Sequence, residues 1–280
     1  MDRVMTAATE LDALRPEVWS AAWYPTLLEA LPFNDSIARS YEGDIRKLGD
    51  KVNITSFPQF ADAEVILENQ KTDADGVTAS STQLTVDKMI VKDFIVTDLA
   101  QIQSMDASNA LRDLAFFAIM KKMQSILISL IVPSASAPDH TAAYTSGTTL
   151  ALADIIAVKT LLDNADVPDD GTRTFVVGAA QWNHIFNITG LTSRDFVAQD
   201  GVMSSGSLPG RILGFQPKMT SEAGNTGYFF HPIFLQMAVQ QGLSVKVFDQ
   251  GGQGYRSVRV NSTLLMGAAQ VSNLRVATLS

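Results

Sequence analysis

Apolar positions between residues 83 and 98 fit neither a half-buried strand nor a fully buried one. The stretch reads QLTVDKMIVKDFIVTD. One register is apolar except for Lys88 and Lys92, whereas the other mixes threonine and aspartate with methionine, valine and isoleucine. A strand inside a monomer normally alternates apolar and polar residues, or is apolar throughout when both faces are covered. The pattern therefore predicts a strand whose two faces make different, partly solvated contacts.

The strongest helix signal runs over residues 104–132. Apolar residues recur there every three or four positions, Ser104 or Asp106 can cap the start, and Pro133 ends the pattern. A helix over residues 107–132 would be about 39 Å long at ~1.5 Å per residue. Such a helix can form the core of one domain or serve as a backbone that connects two subdomains.

The remaining patterns predict a mixed α+β fold. Helices are expected at Leu152–Asn164 and at residues 180–188, with a strand at 173–178 between them. Residues 211–220 and 227–241 together favour further strand and helix, and most of residues 245–280 read as strands. A strand near residues 52–54 and the one at 83–98 are expected to form a long hairpin. The elements do not alternate regularly, which argues against a parallel nucleotide-binding sheet.

Composition narrows the possible functions. The 280 residues are 46% hydrophobic, enough for a large buried core, and contain no cysteine for disulfides or thiolate sites. The formal net charge of -8 works against tight binding to phosphate backbones. No apolar stretch reaches the ~18 residues of a membrane helix, and the N-terminal sequence lacks the cationic start of a secretory signal. We expect a globular protein that is neither inserted in a membrane nor exported by that route.

No catalytic, cofactor-binding or metal-binding pattern is recognisable in the sequence. His140, His184 and His231 are far apart and show no metal-ligand spacing. The acidic stretch DNADVPDDG at residues 163–171 lacks the ligand positions of a calcium loop, so a helix-ending turn is expected there. Signatures of serine hydrolases, zinc proteases and P-loop enzymes are absent. The sequence therefore predicts no enzyme activity, no cofactor and no metal.

The N-terminal segment, in contrast, carries two tryptophans that are candidates for contacts with another subunit. Trp19 and Trp23 lie on a segment that prolines interrupt and that cannot form a core of its own. Buried tryptophans are typical anchors of protein interfaces. The two side chains are expected to contact a neighbouring subunit, unless they close over their own.

Four segments, taken together and in order, carry a family resemblance. They are the arm PEVWSAAWYPTLLEAL, the long hairpin from GDIRKLGDKVNI to LTVDKMIVKDFIVTD, the start of the long helix DASNALRDLAFFAIMKKM, and the late segment ILGFQPKMTSEAG. In this order they resemble a tailed-phage major capsid protein with the Hong Kong ninety-seven type fold. The resemblance implies an N-terminal arm at 1–40, an E-loop hairpin at 41–98, a peripheral domain with a long spine helix at 99–133 and 248–280, and an axial domain at 134–247.

The resemblance also implies a function and partners. A protein of this family assembles with itself, as hexamers and pentamers, into an icosahedral shell around double-stranded DNA that it contacts without sequence specificity. Expected partners are a separate scaffolding protein, a portal protein and a decoration protein. The expected locations are the virion capsid and, during assembly, the host cytoplasm.

The E-loop strand is then expected to contact a neighbouring subunit, and the hairpin to be held by the assembly. With the two tryptophans, the predicted inter-subunit contacts are Leu84, Val86, Lys88, Ile90, Lys92 and Phe94. Two alternatives stay open: an encapsulin-like nanocompartment shell, which would hold cargo enzymes and no DNA, and a soluble α+β enzyme, which would be a monomer or small oligomer.

Overall fold

The computed structural model describes residues 31–47, 51–57, 63, 65, 71, 76–97, 107–188, 210–249 and 257–280. Trp19 and Trp23 lie outside the described residues. The helices are α1 (Pro32–Ser36), α2 (Glu42–Lys47), α3 (Ala107–Ser129), α4 (Leu152–Asn164) and α5 (Ala179–Ile185). The strands are β1 (Lys51–Ser56), β2 (Ser80–Thr97), β3 (Thr141–Ala142), β4 (Thr174–Val177), β5 (Gln216–Met219), β6 (Gly227–Phe230), β7 (Leu235–Asp249), β8 (Ser257–Gln270) and β9 (Val276–Leu279).

The strands form two sheets. One has four antiparallel strands in the order β1-β2-β8-β7, and the other has five strands in the order β3-β9-β6-β4-β5. Chain order and sheet order differ, since β9 at the end of the chain pairs with β6 and β3. The five-stranded sheet is therefore completed by the last residues of the chain.

One buried cluster joins the two sheets through the long helix. Ile119, Met123 and Leu127 of α3 are buried together with Phe230 of β6 and Met237 of β7. These α3 residues recur every four positions, which places them on one face of the helix. The helix is therefore packed between the sheets, and its exposed side carries Lys121 and Lys122.

The opposite face of the five-stranded sheet is covered by α4 and α5. Phe175, Phe215 and Phe229 pack there with ring centroids 5.0 to 6.5 Å apart. Ile155 and Ile185 contribute from the two helices. Strand β4 is buried along its whole length, as expected for a strand covered on both faces.

Several sequence predictions agree with these elements, and one does not. The α4 helix has the predicted bounds, and α3 covers residues 107–129 of the predicted 104–132. Residues 227–241 contain no α-helix: they form β6, a short 3-10 turn at Pro232–Phe234 and the start of β7. Residues 235–239 of β7 are all buried, so packing on both faces determines the strand.

The chain's own strands hold much of the predicted hairpin. Residues 80–85 of β2 pair with β1, as predicted, but residues 86–97 pair with β8 of the same chain. Near the start of the predicted hairpin, Ile45 of α2 is buried against the same sheet. The expectation that the whole of residues 41–98 depends on the assembly is therefore corrected: residues 86–97 belong to the subunit's own sheet.

Candidate interaction surface

A bulge in β2 explains the mixed pattern of residues 83–98. Val86 lies opposite Gly267, but Lys88 lies opposite Met266, so β2 contains one extra residue at Asp87. Because an extra residue reverses the alternation of side chains, even-numbered residues face one side of the sheet before the bulge and the other side after it. The apolar register that looks continuous in sequence therefore serves two different faces.

The bulge lies where Gly267 allows a close backbone approach. A Cβ atom on Gly267 would be 2.2 Å from the carbonyl oxygen of Thr85 and 2.8 Å from the Cα atom of Val86. Any side chain would therefore force β2 away from β8. Glycine lets β2 leave its pairing with β8 and continue into the hairpin with β1.

Three of the predicted contact residues are buried within the subunit. Leu84 and Val86, at 0% and 8% exposure, share a cluster with Ile45 and Ile54 on one face. Ile90, at 7% exposure, belongs to the α3 cluster on the other face. These three side chains have little surface left for a neighbouring subunit.

The other predicted contact residues remain accessible. Lys88 is partly exposed and forms an ion pair with Asp87 at 2.9 Å, Lys92 is exposed, and Phe94 is half-buried. Their contact with a neighbour stays a prediction, as does that of the two tryptophans.

Three strands continue together from the edge of the α3 cluster, at Ile90 and Leu264. We call this region the distal sheet: residues 89–97 of β2, 257–265 of β8 and 244–249 of β7. Residues directly opposite in antiparallel strands share a face. On the first face, which continues from Ile90, the row Phe94–Val260–Val247 is entirely apolar, and Val247 is exposed.

The second face of the distal sheet combines apolar and charged side chains. Asp93 accepts hydrogen bonds from Arg259 and from Asn261 on β8. On the neighbouring row, Arg259 lies between Ile95 and Phe248, both exposed. The ion pair satisfies the charges at the centre, while the apolar side chains around it remain in water.

Both faces of the distal sheet thus expose large apolar side chains in the single chain. Six of them are between 36% and 64% exposed: Met89, Val91, Ile95, Val245, Val247 and Phe248. Exposed apolar surface on this scale, with polar residues around it, is typical of an interaction site. None of these six residues is among the contacts predicted from the sequence, which are on the other register of residues 83–98 and in the N-terminal segment. The valines on either side of Lys246 were a usable signal.

The segment that follows the tryptophans is anchored in the core. The Phe33 ring of α1 stacks on Phe230 at a centroid distance of 5.4 Å. The side-chain amide of Asn34 donates to the Met120 carbonyl of α3 at 3.2 Å, and Lys218 donates to Ser36 at 2.6 Å. Any contact made by residues 1–30 therefore starts from a fixed point on the subunit.

The acidic stretch after α4 is a hydrogen-bonded turn. Asp163 accepts a bond from the buried Arg173 guanidinium at 2.6 Å. Thr172 donates to Asp170 through its hydroxyl at 2.6 Å and its backbone N–H at 2.9 Å, and these bonds lower the pKa of Asp170 to about 2. Among the described residues, no three histidine or carboxylate side chains are grouped so that they could hold a metal ion. Within the same residues, no helix is long and apolar enough to cross a membrane.

Comparisons with known proteins address the fold and the family. A family model described as phage capsid protein matches residues 55–279. The structure from Mycobacterium phage Che8 has a TM-score of 0.75 and 22% identity, covering 95% of this chain and 97% of that one. The cyanophage Pam1 capsid asymmetric unit has a TM-score of 0.69 and 15% identity, covering 99% and 98%. The asymmetric unit of the bacteriophage PhiM1 mature capsid has a TM-score of 0.66 and 16% identity, covering 100% of this chain and 96% of that one. A search of curated proteins gave no match. The α+β fold predicted from the sequence is confirmed.

Proposed function

Because the chain belongs to the phage capsid protein family, we propose that it self-assembles as hexamers and pentamers into an icosahedral shell that encloses a double-stranded DNA genome. Membership of this family makes the chain a structural protein of the virion capsid. The arrangement into hexamers and pentamers, and the enclosed DNA, are inferred from the resemblance of the sequence. The observation that carries the proposal is the exposure of apolar side chains on both faces of the distal sheet.

The magnitude of this surface favours many weak contacts over one strong contact. Burying six side chains that are each about half exposed returns roughly 5–9 kcal/mol, at ~1.5–3 kcal/mol per fully buried side chain. Association of two proteins costs an estimated 4–15 kcal/mol in lost freedom. One such contact leaves little net affinity, so a stable complex needs each subunit to bind several neighbours at once. A closed shell meets this requirement.

Charge supports the proposed relation to DNA. A chain with a net charge of -8 offers few cationic groups to phosphates, so packaged DNA would be enclosed and not bound by sequence. Purified protein should show negligible affinity for duplex DNA at physiological salt, and a micromolar or tighter complex would contradict this. The proposed partners, a separate scaffolding protein, a portal protein and a decoration protein, rest on the family resemblance, as does assembly in the host cytoplasm.

The sheets suggest an adjustment to the proposed domains. We keep the arm at 1–40, the E-loop at 41–98, the peripheral domain at 99–133 and 248–280, and the axial domain at 134–247. However, residues 235–247 of β7 pair with β8, and β9 pairs with β6. A division by sheets would assign residues 235–247 to the peripheral domain and residues 276–279 to the axial domain.

Sedimentation velocity tests the proposal. The expected result is a boundary from particles of many subunits, far faster than the 30.2 kDa monomer. A protein that remains a monomer or small oligomer, alone and in the presence of a scaffolding protein, would contradict it. Nuclease-resistant DNA in particles from infected cells distinguishes a virion from a nanocompartment, which would contain cargo protein.

A further inference from the structure

The outer edge of β7 is covered at one end and open at the other. Near its start, Ala38 forms a parallel bridge with Gln236, and the Met237 N–H donates to the Ala38 carbonyl at 3.1 Å. From Leu243 to Phe248, no described residue pairs with this edge. Among the described strands, β7 is therefore an edge strand along its distal half.

The direction of the backbone groups follows from the Met237 bond. Met237 directs its N–H away from β8, and it lies opposite residue 268. In an antiparallel pair, inward and outward backbone groups alternate along the strand, so the partners of Ser262 and Val260 also point outward. Those partners are Val245 and Val247. Their N–H and C=O groups are directed off the open edge.

This edge has little of the protection that natural edge strands use. Monomeric proteins protect such edges with proline, with several charged residues, or with very short strands. The open segment reads LSVKVF, with Lys246 as its one charge and no proline. The two irregularities of β7, between Val239 and Gln241 and between Gln241 and Ser244, reach only the first residues of this segment, and Ser244–Phe248 pair regularly with β8. The segment is therefore competent to accept another strand.

We propose that the open edge of β7, from Leu243 to Phe248, pairs with a strand of a second copy of this chain and so extends the sheet across the subunit boundary. This inference rests on the proposed function. The edge is continuous with the exposed faces of the distal sheet, which self-assembly would bring against another copy. Backbone pairing would supply affinity, and the valine side chains would supply the fit.

The same sheet offers a suitable donor. Strand β1 is its other outer strand, and no described residue pairs with the outer side of β1. All neighbours in β1-β2-β8-β7 are antiparallel, so β1 and β7 run in opposite directions. β1 lies level with residues 80–85 of β2, whereas the open edge of β7 lies level with residues 91–95. A second copy displaced along the strands by about 30 Å, at ~3.3 Å per residue, would therefore place its β1 antiparallel to this edge. Such a head-to-tail contact closes into a ring when its rotation permits.

A pair of substitutions at Val247 separates backbone pairing from side-chain packing. Val247→Pro removes an N–H that points away from β8, so no hydrogen bond between β7 and β8 is lost. Proline is tolerated on edge strands in this orientation. Val247→Thr keeps the N–H and the branched shape while it removes apolar surface. Circular dichroism and thermal melting of unassembled subunits establish that both variants fold.

Shell yield of the purified full chain is then measured by sedimentation. The proline variant should give at least about tenfold fewer shells than the threonine variant, whose smaller loss relative to wild type measures the apolar surface that the Val247 side chain contributes. Normal assembly of the proline variant would overturn the inference, and equal loss in both variants would assign the contact to side chains instead.

Hydrogen exchange provides a measurement that does not depend on the variants. In wild-type subunits the amides of Val245 and Val247 should exchange fast, and in shells they should be protected by at least about a hundredfold. Unchanged exchange in shells would overturn the inference even if the proline variant did not fold. Failure of wild type to assemble would contradict the proposed function itself, so the two failures are distinguishable.

Discussion

Replacement of Gly267 with alanine tests whether the bulge in β2, where it leaves its pairing with β8, depends on a close backbone contact. The added Cβ atom would lie 2.2 Å from the Thr85 carbonyl oxygen, whereas ordinary van der Waals contacts start near 3.4 Å. The neighbouring atom is backbone and cannot rotate away. The two strands must therefore separate by about 1 Å at this point, which lengthens nearby ladder hydrogen bonds from ~2.9 Å to beyond ~3.5 Å.

The expected cost combines three effects. Overpacking in a well-packed region costs ~1–3 kcal/mol, and each weakened hydrogen bond adds ~0.5–1.5 kcal/mol. Alanine recovers ~0.5–1 kcal/mol because it has less conformational freedom to lose than glycine. We therefore expect Gly267→Ala to lower the free energy of unfolding by about 1–3 kcal/mol, or the Tm by several degrees.

Thermal and urea unfolding of unassembled subunits measure this change. Gly242→Ala, in β7 of the same sheet, is the matched control, because a Cβ atom there would meet no atom within 4 Å. Its free energy of unfolding should stay within about 0.5 kcal/mol of wild type. If the free energy of unfolding of Gly267→Ala equals that of the control variant, the close approach does not constrain the sheet. The explanation given for the bulge at Asp87 would then be wrong.

Three further outcomes are expected. Phe33→Ala should lower the free energy of unfolding by ~3–5 kcal/mol, because it deletes a buried ring stacked on the core; a loss below 1 kcal/mol in urea unfolding would show that α1 is not anchored there. Asp170→Asn should reduce the acid sensitivity of the Tm: the pKa of Asp170 is lowered to about 2 from 3.8, so its stabilising effect is present above about pH 4 and lost as the pH falls toward 2. An unchanged pH profile of the variant would contradict the role of Thr172. Replacing Trp19 and Trp23 together with alanine should lower shell yield more than it changes the circular dichroism of the subunit; equal losses would place both side chains in the subunit's own core.

Local patterns predicted the elements whose packing agrees with their own sequence. Helix α4 has its predicted bounds, and the apolar face of α3 made that helix visible despite the lysines at 121 and 122. Residues 235–241 were ambiguous, because a strand covered on both faces has no alternation to identify it. Pairing between distant strands, such as β9 with β6, leaves no local signal at all.

The faces of residues 83–98 could not be assigned from the sequence. The sequence around Asp87 continues its alternation without interruption, and the glycine that permits the bulge lies on another strand, 180 residues later. Leu84 and Val86 were therefore placed on the same face as Ile90, although the sheet buries them on opposite sides. The exposed register of Met89, Val91 and Ile95 follows only when the pairing with β8 is known.

Negative-stain electron microscopy of the purified full chain, with and without a scaffolding protein, is the sharpest test of self-assembly into a shell. We expect closed particles of uniform diameter built from many copies of the chain, because the distal sheet needs several neighbours to bury both of its faces. Fields that contain only monomers or small oligomers under every assembly condition would contradict it.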